Sequence, residues 1–245
     1  MRRKIHRRLG VAGLRFLGLA GLCAQAALAS PLDVAFKFTP AYYFFGDGNR
    51  AMDLNLRATR GNQVGWLGFY RDHQGFEQAR AGFEQHEDFD YLRLVLSGQA
   101  ATHGFLGASI NAEIGGKTYG LVGLGRTNLQ DYYNLNFDPN DAITFGLGTR
   151  AQGDTELSVY RVQDNRLGTG QRVTHVLWRQ HFGANERLTV DFSHKSGTDS
   201  SGAAGGGNGL TLTFDIEPWF ARAGYDADVN FSGHSMVEVA LGRRF

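Results

Sequence analysis

Apolar and polar residues alternate along most of this chain, and no other feature limits its fold so strongly. From residue 52 to residue 59 the even positions are apolar, while Asp53, Asn55 and Arg57 occupy odd positions. The same pattern runs through 34–44 and 106–114. A period of two places successive side chains on opposite faces of a strand, so the pattern predicts strands with one apolar and one polar face. No convincing helical period of useful length is present.

The alternation divides into about fourteen segments of roughly ten residues, which is the length of a tilted strand that crosses a membrane. A count of twelve strands also fits. We therefore predict an all-β protein, a transmembrane antiparallel up-and-down β-barrel. The predicted strands are 33–45, 50–60, 62–72, 75–85, 89–100, 103–114, 117–126, 142–150, 154–163, 171–182, 187–196, 208–216, 219–228 and 235–245.

The predicted connections are short after even-numbered strands and longer after several odd-numbered ones, at 127–141, 164–170, 197–207 and 229–234. This asymmetry resembles that of the outer-membrane β-barrels of Gram-negative bacteria, whose short turns are periplasmic and whose long loops are extracellular. The resemblance implies an outer-membrane location in the cell envelope, with both termini in the periplasm.

A soluble secreted sandwich or barrel is the alternative. Only four prolines are present, and aromatic residues gather at the ends of segments, which favours a membrane barrel with aromatic girdles. The aromatic groups are Tyr42–Phe45, Trp66–Tyr70, Tyr132–Tyr133, Trp178 and Trp219–Phe220.

The last segment carries Val239 and Leu241 on its apolar face and ends on Phe245. An aromatic end preceded by alternating apolar residues resembles the assembly signal of outer-membrane β-barrels. The resemblance implies two partners: the barrel assembly machinery and the lipids of the outer membrane.

The first 29 residues are expected to be a signal peptide, because a basic start and an apolar stretch lead to the A-x-A pattern at Ala27–Ala29. The alternative, a membrane-anchoring helix, would contain Arg15. The barrel domain is then 30–245.

Without residues 1–29, the balance of 25 basic and 24 acidic residues becomes 19 and 24, so the formal charge changes from +1 to −5 and the one cysteine is lost. No basic run lies beside the aromatic residues, so we expect no nucleic-acid partner.

If the apolar faces contact lipid, the polar faces line a lumen in which both signs of charge are nearly balanced. Such a lumen is either a water-filled pore of weak charge selectivity or an interior closed by cross-strand ion pairs. We expect a porin-like or structural surface protein rather than an enzyme. The expected lining residues are Lys37, Arg57, Arg71, Arg80, Arg93, Arg150, Arg179, Arg222 and Arg244, with Asp53, Glu84, Glu113, Glu156, Asp191, Asp215, Asp226 and Glu238.

One short motif supports an alternative function. His194 and Ser196 are two residues apart, and Asn208 has the parity of neighbouring apolar residues, so all three are expected on the outer face of one hairpin. In a serine hydrolase, Ser would be the nucleophile, His the base and Asn the orienting residue. The set resembles the catalytic residues of outer-membrane phospholipase A, and its His-x-Ser also resembles that of the lipid A deacylases. The resemblance implies a lipid acyl hydrolase that acts from the barrel exterior. Gly197-Thr198 stands where that phospholipase family usually has Asn-Gly.

The stretch 134–141 is a possible calcium site through Asp138, Asn140 and Asp141, although Asp-Pro-Asn-Asp is equally good turn chemistry. We expect no other cofactor and no site for a transition metal. His103, His175 and His181 are expected to face the lumen without metal-ligand spacing.

Overall fold

The structure, a computed structural model, describes residues 34–151, 154–199 and 201–245. The predicted signal peptide and the first residues of the expected barrel domain lie outside the described residues. Short 3₁₀ turns occur at Thr102–Gly104 and Val229–Phe231. No helix in the described part of the chain is long and apolar enough to cross a membrane.

Fourteen strands make up the fold, as predicted, and each predicted segment corresponds to one of them. They are β1 (Ala35–Phe45), β2 (Arg50–Arg60), β3 (Gln63–Asp72), β4 (Glu77–Asp88), β5 (Leu92–Ala101), β6 (Leu106–Gly115), β7 (Thr118–Thr127), β8 (Ala142–Ala151), β9 (Thr155–Asp164), β10 (Arg172–His181), β11 (Glu186–Thr198), β12 (Ala204–Ile216), β13 (Trp219–Asp226) and β14 (Met236–Arg244).

The strands form one closed antiparallel barrel. Each strand pairs with its neighbours in sequence, and β14 returns to pair with β1. Tyr42 of β1, for example, lies opposite Met52 on one side and Val239 on the other. Closure leaves no strand edge to pair with another chain. The predicted all-β up-and-down barrel is confirmed.

The two faces of the wall differ as the alternation predicts. Outward residues are apolar and exposed, with Leu67 61% and Leu147 68% accessible. Several inward polar residues are buried, with Asp53 6% and Arg80 8% accessible. An outer wall this apolar fits contact with lipid better than contact with water.

The two ends of the barrel also differ. At one end, here called the short-turn end, hairpins close in few residues, such as 61–62, 116–117 and 217–218. At the other end, the long-loop end, the chain makes the connections 128–141, 165–171 and 227–235.

The predicted long connection at 197–207 is wrong. β11 and β12 continue through it, with Ser196 opposite Gly206 and Thr198 opposite Ala204. The two strands end at Thr198 and begin at Ala204, so the connection between them is much shorter than predicted. Glycine weakens a strand but does not prevent pairing, so a glycine-rich stretch can extend a hairpin whose strands are already in register.

Candidate functional site in the barrel lumen

The β7–β8 loop, residues 128–141, folds into the lumen. On one side, Gln78 of β4 donates to the Tyr133 carbonyl at 3.1 Å and accepts from the Tyr133 amide at 2.9 Å. On the other side, the Lys195 ammonium of β11 donates to the Phe137 carbonyl at 3.1 Å. β4 and β11 are seven strands apart in a ring of fourteen. The loop therefore crosses the lumen from one wall to the opposite one.

Aromatic side chains of the loop pack against the inner wall. Tyr133 stacks on Tyr70 with ring centroids 4.8 Å apart, and Phe137 meets Tyr43 edge-on at 6.4 Å. Together with Leu135, they cover an apolar cluster inside the barrel. Its buried members are Ala41, Tyr43, Ala51, Tyr70, Val229, Met236 and Ala240.

The prediction that all the aromatic groups form girdles is therefore wrong in part. Tyr132 stacks on Phe105 at 4.0 Å, and Phe220 is buried on the inner face. Tyr42 and Trp219 remain exposed on the outer face. Because side chains alternate between faces, one member of an adjacent aromatic pair in a strand turns inward.

A polar contact holds the return segment of the loop. The His175 ring of β10 lies between two carboxylates, with Nε2 3.1 Å from Asp138 Oδ1 and Nδ1 3.0 Å from Asp191 Oδ1. The same ring stacks on Tyr160, with centroids 4.7 Å apart. Asp138 is the loop residue of this set, so the contact fixes the loop to β10 and β11.

The possible calcium ligands point to different partners. Asp138 faces His175, whereas Asp141 accepts hydrogen bonds from Thr127 and from Arg166, the latter at 2.8 Å. Burial would raise the pKa of the Asp141 carboxyl, but these hydrogen bonds outweigh it and hold the pKa below its usual range. Within the described ranges, no group of three or more His, Cys, Asp or Glu side chains could hold a metal ion.

Beside the loop, a cavity of about 480 Å³ remains in the lumen. Its wall carries small and polar residues on several strands, with Asn55 and Arg57 on β2, Ser97 on β5, Ser109 on β6 and Thr144 on β8. The loop itself contributes Tyr132, Asn134 and Asn136. The loop thus narrows the lumen and leaves a polar space whose wall runs from β2 to β9.

Ion pairs join most of the predicted lining residues. Among the described side chains, only Lys37 of the predicted set forms neither a salt bridge nor a hydrogen bond. Asp191 lies beside His175 at 3.0 Å. The other contacts are Asp53–Arg80 at 2.7 Å, Arg57–Glu84, Arg93–Glu113 at 3.4 Å, Arg150–Glu113, Arg179–Glu156 at 2.9 Å, Arg222–Glu238 at 3.2 Å, Arg244–Asp215 and Lys195–Asp226.

Arg71 is not a lining residue, contrary to expectation. Its side chain is 62% accessible and pairs with Glu77 at 3.2 Å, and it shares a face with the exposed Leu67 and Phe69. β3 turns Trp66 and Tyr70 inward, so on this strand the inner face is largely apolar. Polarity alone therefore places Arg71 on the inner face, whereas its side chain lies on the outer face.

Lys195 was missed as a lining residue. It lies on β11 between His194 and Ser196 and is buried on the inner face with Ser193. Its parity is the signal for this position, because Lys195 has the same parity as Asp191, a predicted lining residue.

The structure places the three candidate catalytic residues on the outer side of β11 and β12. His194 and Asn208 are exposed register partners, and His194 Nδ1 lies 2.9 Å from Asn208 Oδ1. Ser196 Oγ instead accepts a hydrogen bond from Arg172 Nε at 2.8 Å. In the part of the chain that the structure describes, no hydrogen bond joins His194 to Ser196.

Comparison with known proteins gives likeness in structure only. No protein-family model matches the chain, and no curated protein sequence matches it. The outer membrane protein Omp33 of Acinetobacter baumannii is similar over 88% of this chain and 100% of its own, with 9% identity and a TM-score of 0.54. Two further likenesses are looser. The NanC porin covers 84% of this chain and 98% of its own at 7% identity and a TM-score of 0.47. A variant of the Rhodopseudomonas blastica porin covers 86% and 99% at 9% identity and a TM-score of 0.47. The likeness to Omp33 agrees with the strand pairing: the chain folds as a β-barrel of the outer-membrane type.

Proposed function

We propose that this protein is an outer-membrane pore for small polar solutes. The observation that carries the proposal is the β7–β8 loop, which crosses the lumen and leaves a polar cavity beside it. The apolar outer wall supports placement in a bilayer, and the polar inner wall supports passage of water and dissolved solutes.

The loop sets the size limit in this proposal. A barrel of fourteen strands lies between small barrels filled by side chains and wide porins of about sixteen strands that leave an aqueous channel. Here the apolar cluster under Tyr133 and Phe137 fills part of the lumen, so solutes pass through the polar cavity beside the loop.

Planar-bilayer recording tests the proposal. The purified barrel is expected to give discrete conductance steps, and a variant in which a short Gly-Ser linker replaces residues 130–139 is expected to give larger ones. The control shortens the turn at 199–203, whose hydrogen bonds are local, and should leave the step size unchanged. Silent bilayers from folded barrels of all three kinds would contradict a pore.

A second candidate is a lipid acyl hydrolase on the barrel exterior. It is favoured by the contact of His194 with Asn208 on the lipid-facing side, since an oriented His could act as a base. For catalysis, the Ser196 hydroxyl would have to exchange its contact with Arg172 for one with His194.

Release of fatty acid from phospholipid in detergent tests this candidate. Ser196→Ala should abolish the release, while Ser193→Ala, on the inner face of the same strand, should not. Absence of release by the wild-type barrel, with or without calcium, would rule the hydrolase out.

A further inference from the structure

Three cations lie side by side on the inner wall at the short-turn end. Lys37 of β1 is the register partner of Arg244 on β14 and of Arg57 on β2. Directly opposite residues have Cβ atoms about 4.5–5.5 Å apart, and like charges in such positions destabilise a sheet. We call Lys37, Arg57 and Arg244 the cation row.

Nearby carboxylates do not neutralise the cation row. Glu84 accepts from Arg57, and Asp215 is shared between Arg244 and Arg187. Lys37 donates to no acceptor among the described residues. Its ammonium instead lies 4.0 Å from the centroid of the Phe220 ring, which offers it no carboxylate partner.

Two buried donors close by also have no acceptor. Arg222 lies within electrostatic range of Lys37 and pairs with Glu238 through Nη1, but its Nε is buried and unbonded within the described structure. The same holds for Nη1 of Arg244. Unsatisfied buried donors are rare in folded proteins, because each costs the free energy of its lost hydration.

Lys37 and its charged neighbours on the inner wall are five cations and three carboxylates, and Glu186 and Glu217 lie farther out, in the cavity beside Arg187 and Arg244. The cations are Lys37, Arg57, Arg187, Arg222 and Arg244, and the carboxylates are Glu84, Asp215 and Glu238. We propose that this cluster is a binding site for a small oxyanion, a phosphate or carboxylate group, at the short-turn mouth of the lumen. Arginine forks match the geometry of such groups, and the oxyanion would supply the acceptor that the partly exposed Lys37 ammonium lacks.

For transport, the inference rests on the proposed pore, since an unpaired ammonium on the lumen wall favours anions over cations. Binding itself needs no open channel. The site therefore has two separate readouts, equilibrium binding to the folded barrel and charge selectivity of its conductance.

Calorimetric titration of the detergent-solubilised barrel with inorganic phosphate tests binding, and succinate is the carboxylate arm. Saturable binding is expected, with Lys37→Gln weakening it about tenfold, the factor that ~1.4 kcal/mol represents. Arg93→Gln is the matched control, because it removes one lumen cation that pairs with Asp88 and Glu113 outside the cluster. If phosphate binds and succinate does not, the site is a phosphate site. If succinate binds and phosphate does not, it is a carboxylate site.

Two further measurements keep the test independent of folding and of the pore. Lys37→Gln should raise the thermal unfolding midpoint without ligand, because it removes repulsion within the cation row, whereas a structural role for Lys37 would lower it. In a salt gradient, the wild-type pore should prefer chloride to potassium, and Lys37→Gln should reduce that preference. No binding of either anion, or equal binding by Lys37→Gln, would overturn the site. Binding without conductance would retain the site and refute the pore.

Discussion

Lys195 and Asp226 form an ion pair inside the wall of the barrel, where their side chains are 2% and 8% accessible. They belong to β11 and β13, so the contact passes over the intervening strand β12. The Lys195 ammonium also donates to the Phe137 carbonyl of the β7–β8 loop. Removal of one partner from such a pair leaves a buried charge uncompensated, which costs more than the intact pair contributes.

Lys195→Met is therefore expected to lower the free energy of unfolding by about 3–5 kcal/mol. The double variant Lys195→Met/Asp226→Asn should regain much of this loss, because no buried charge remains. Urea unfolding of the barrel in detergent micelles measures both. Arg71→Gln is the control at an exposed pair, where the expected loss is at most about 1 kcal/mol. An equal effect at the two positions would show that burial does not govern the pair.

At this scale, alternation predicts the face of a residue but not its partner. Asp53, Arg80 and Glu238 are buried inside, as their parity indicates. The pairing of Lys195 with Asp226 depends on the register of three strands, which no local pattern contains. Polarity also misassigns Arg71, because β3 packs aromatic side chains inward.

Among the elements, the β7–β8 loop is also held at the point where it joins β8. Asp141 at its end accepts hydrogen bonds from Thr127 and Arg166 and has a lowered pKa. A carboxyl whose folded-state pKa is depressed stabilises the structure fully above its unfolded pKa, and that contribution is lost as the pH falls through the folded value. The hydrogen bonds of Asp141 should therefore stabilise this end of the loop from neutral pH down to about 4, the ordinary range of Asp. Below that pH their contribution should decrease.

Asp141→Asn is expected to loosen the loop at neutral pH and to remove this pH dependence. Hydrogen exchange of peptides covering 128–141, corrected for the intrinsic rate at each pH, measures the effect. Asp131→Asn alters an exposed acid of the same loop and should behave as the wild type. Equal protection in Asp141→Asn and wild type at pH 7 would contradict the role of Asp141.

The sequence predicts the existence and length of this loop, but not its course. Its polar stretch at 134–141 favours turns in water, and that reasoning ignores the aromatic residues beside and within it. Tyr132, Tyr133 and Phe137 in a connection are the signal that the segment packs against something. Their partners lie on β1, β3 and the β5–β6 connection, far away in sequence.

For the whole molecule, closure depends on the pairing of β1 with β14. The amide of Phe36 donates to the carbonyl of Phe245 at 2.8 Å, and the amide of Phe245 donates back at 3.0 Å. The two rings stack with centroids 5.7 Å apart on the outer face. Phe245 thus has a structural contact as well as the assembly role proposed for it with Val239 and Leu241.

Phe245→Ala and Phe36→Ala separate these roles, because both remove the same ring contact. If Phe245 is part of an assembly signal, its variant should insert poorly in cells while refolding normally in detergent. Phe36→Ala should insert like the wild type. The fraction of heat-modifiable barrel in isolated membranes, compared with refolded protein, measures the difference, and equal insertion of both variants would leave Phe245 only its structural contact.

The approximate strand count follows from the sequence because each hairpin repeats the same local pattern, but the choice between fourteen and twelve strands needs the structure. What fills the lumen does not follow, since the apolar cluster around Tyr43 and Tyr70 combines residues from strands and loops that are distant in the chain.

The course of the β7–β8 loop from β4 to β11 also has a mechanical consequence. A thin ring of strands can flatten into an ellipse when the surrounding bilayer presses on it from the side. A segment that is hydrogen-bonded to two opposite walls limits the change in their separation. The number of strands sets the width of this barrel, and the bonded loop resists its flattening, so the cross-section should stay nearly constant in membranes of different lipid composition.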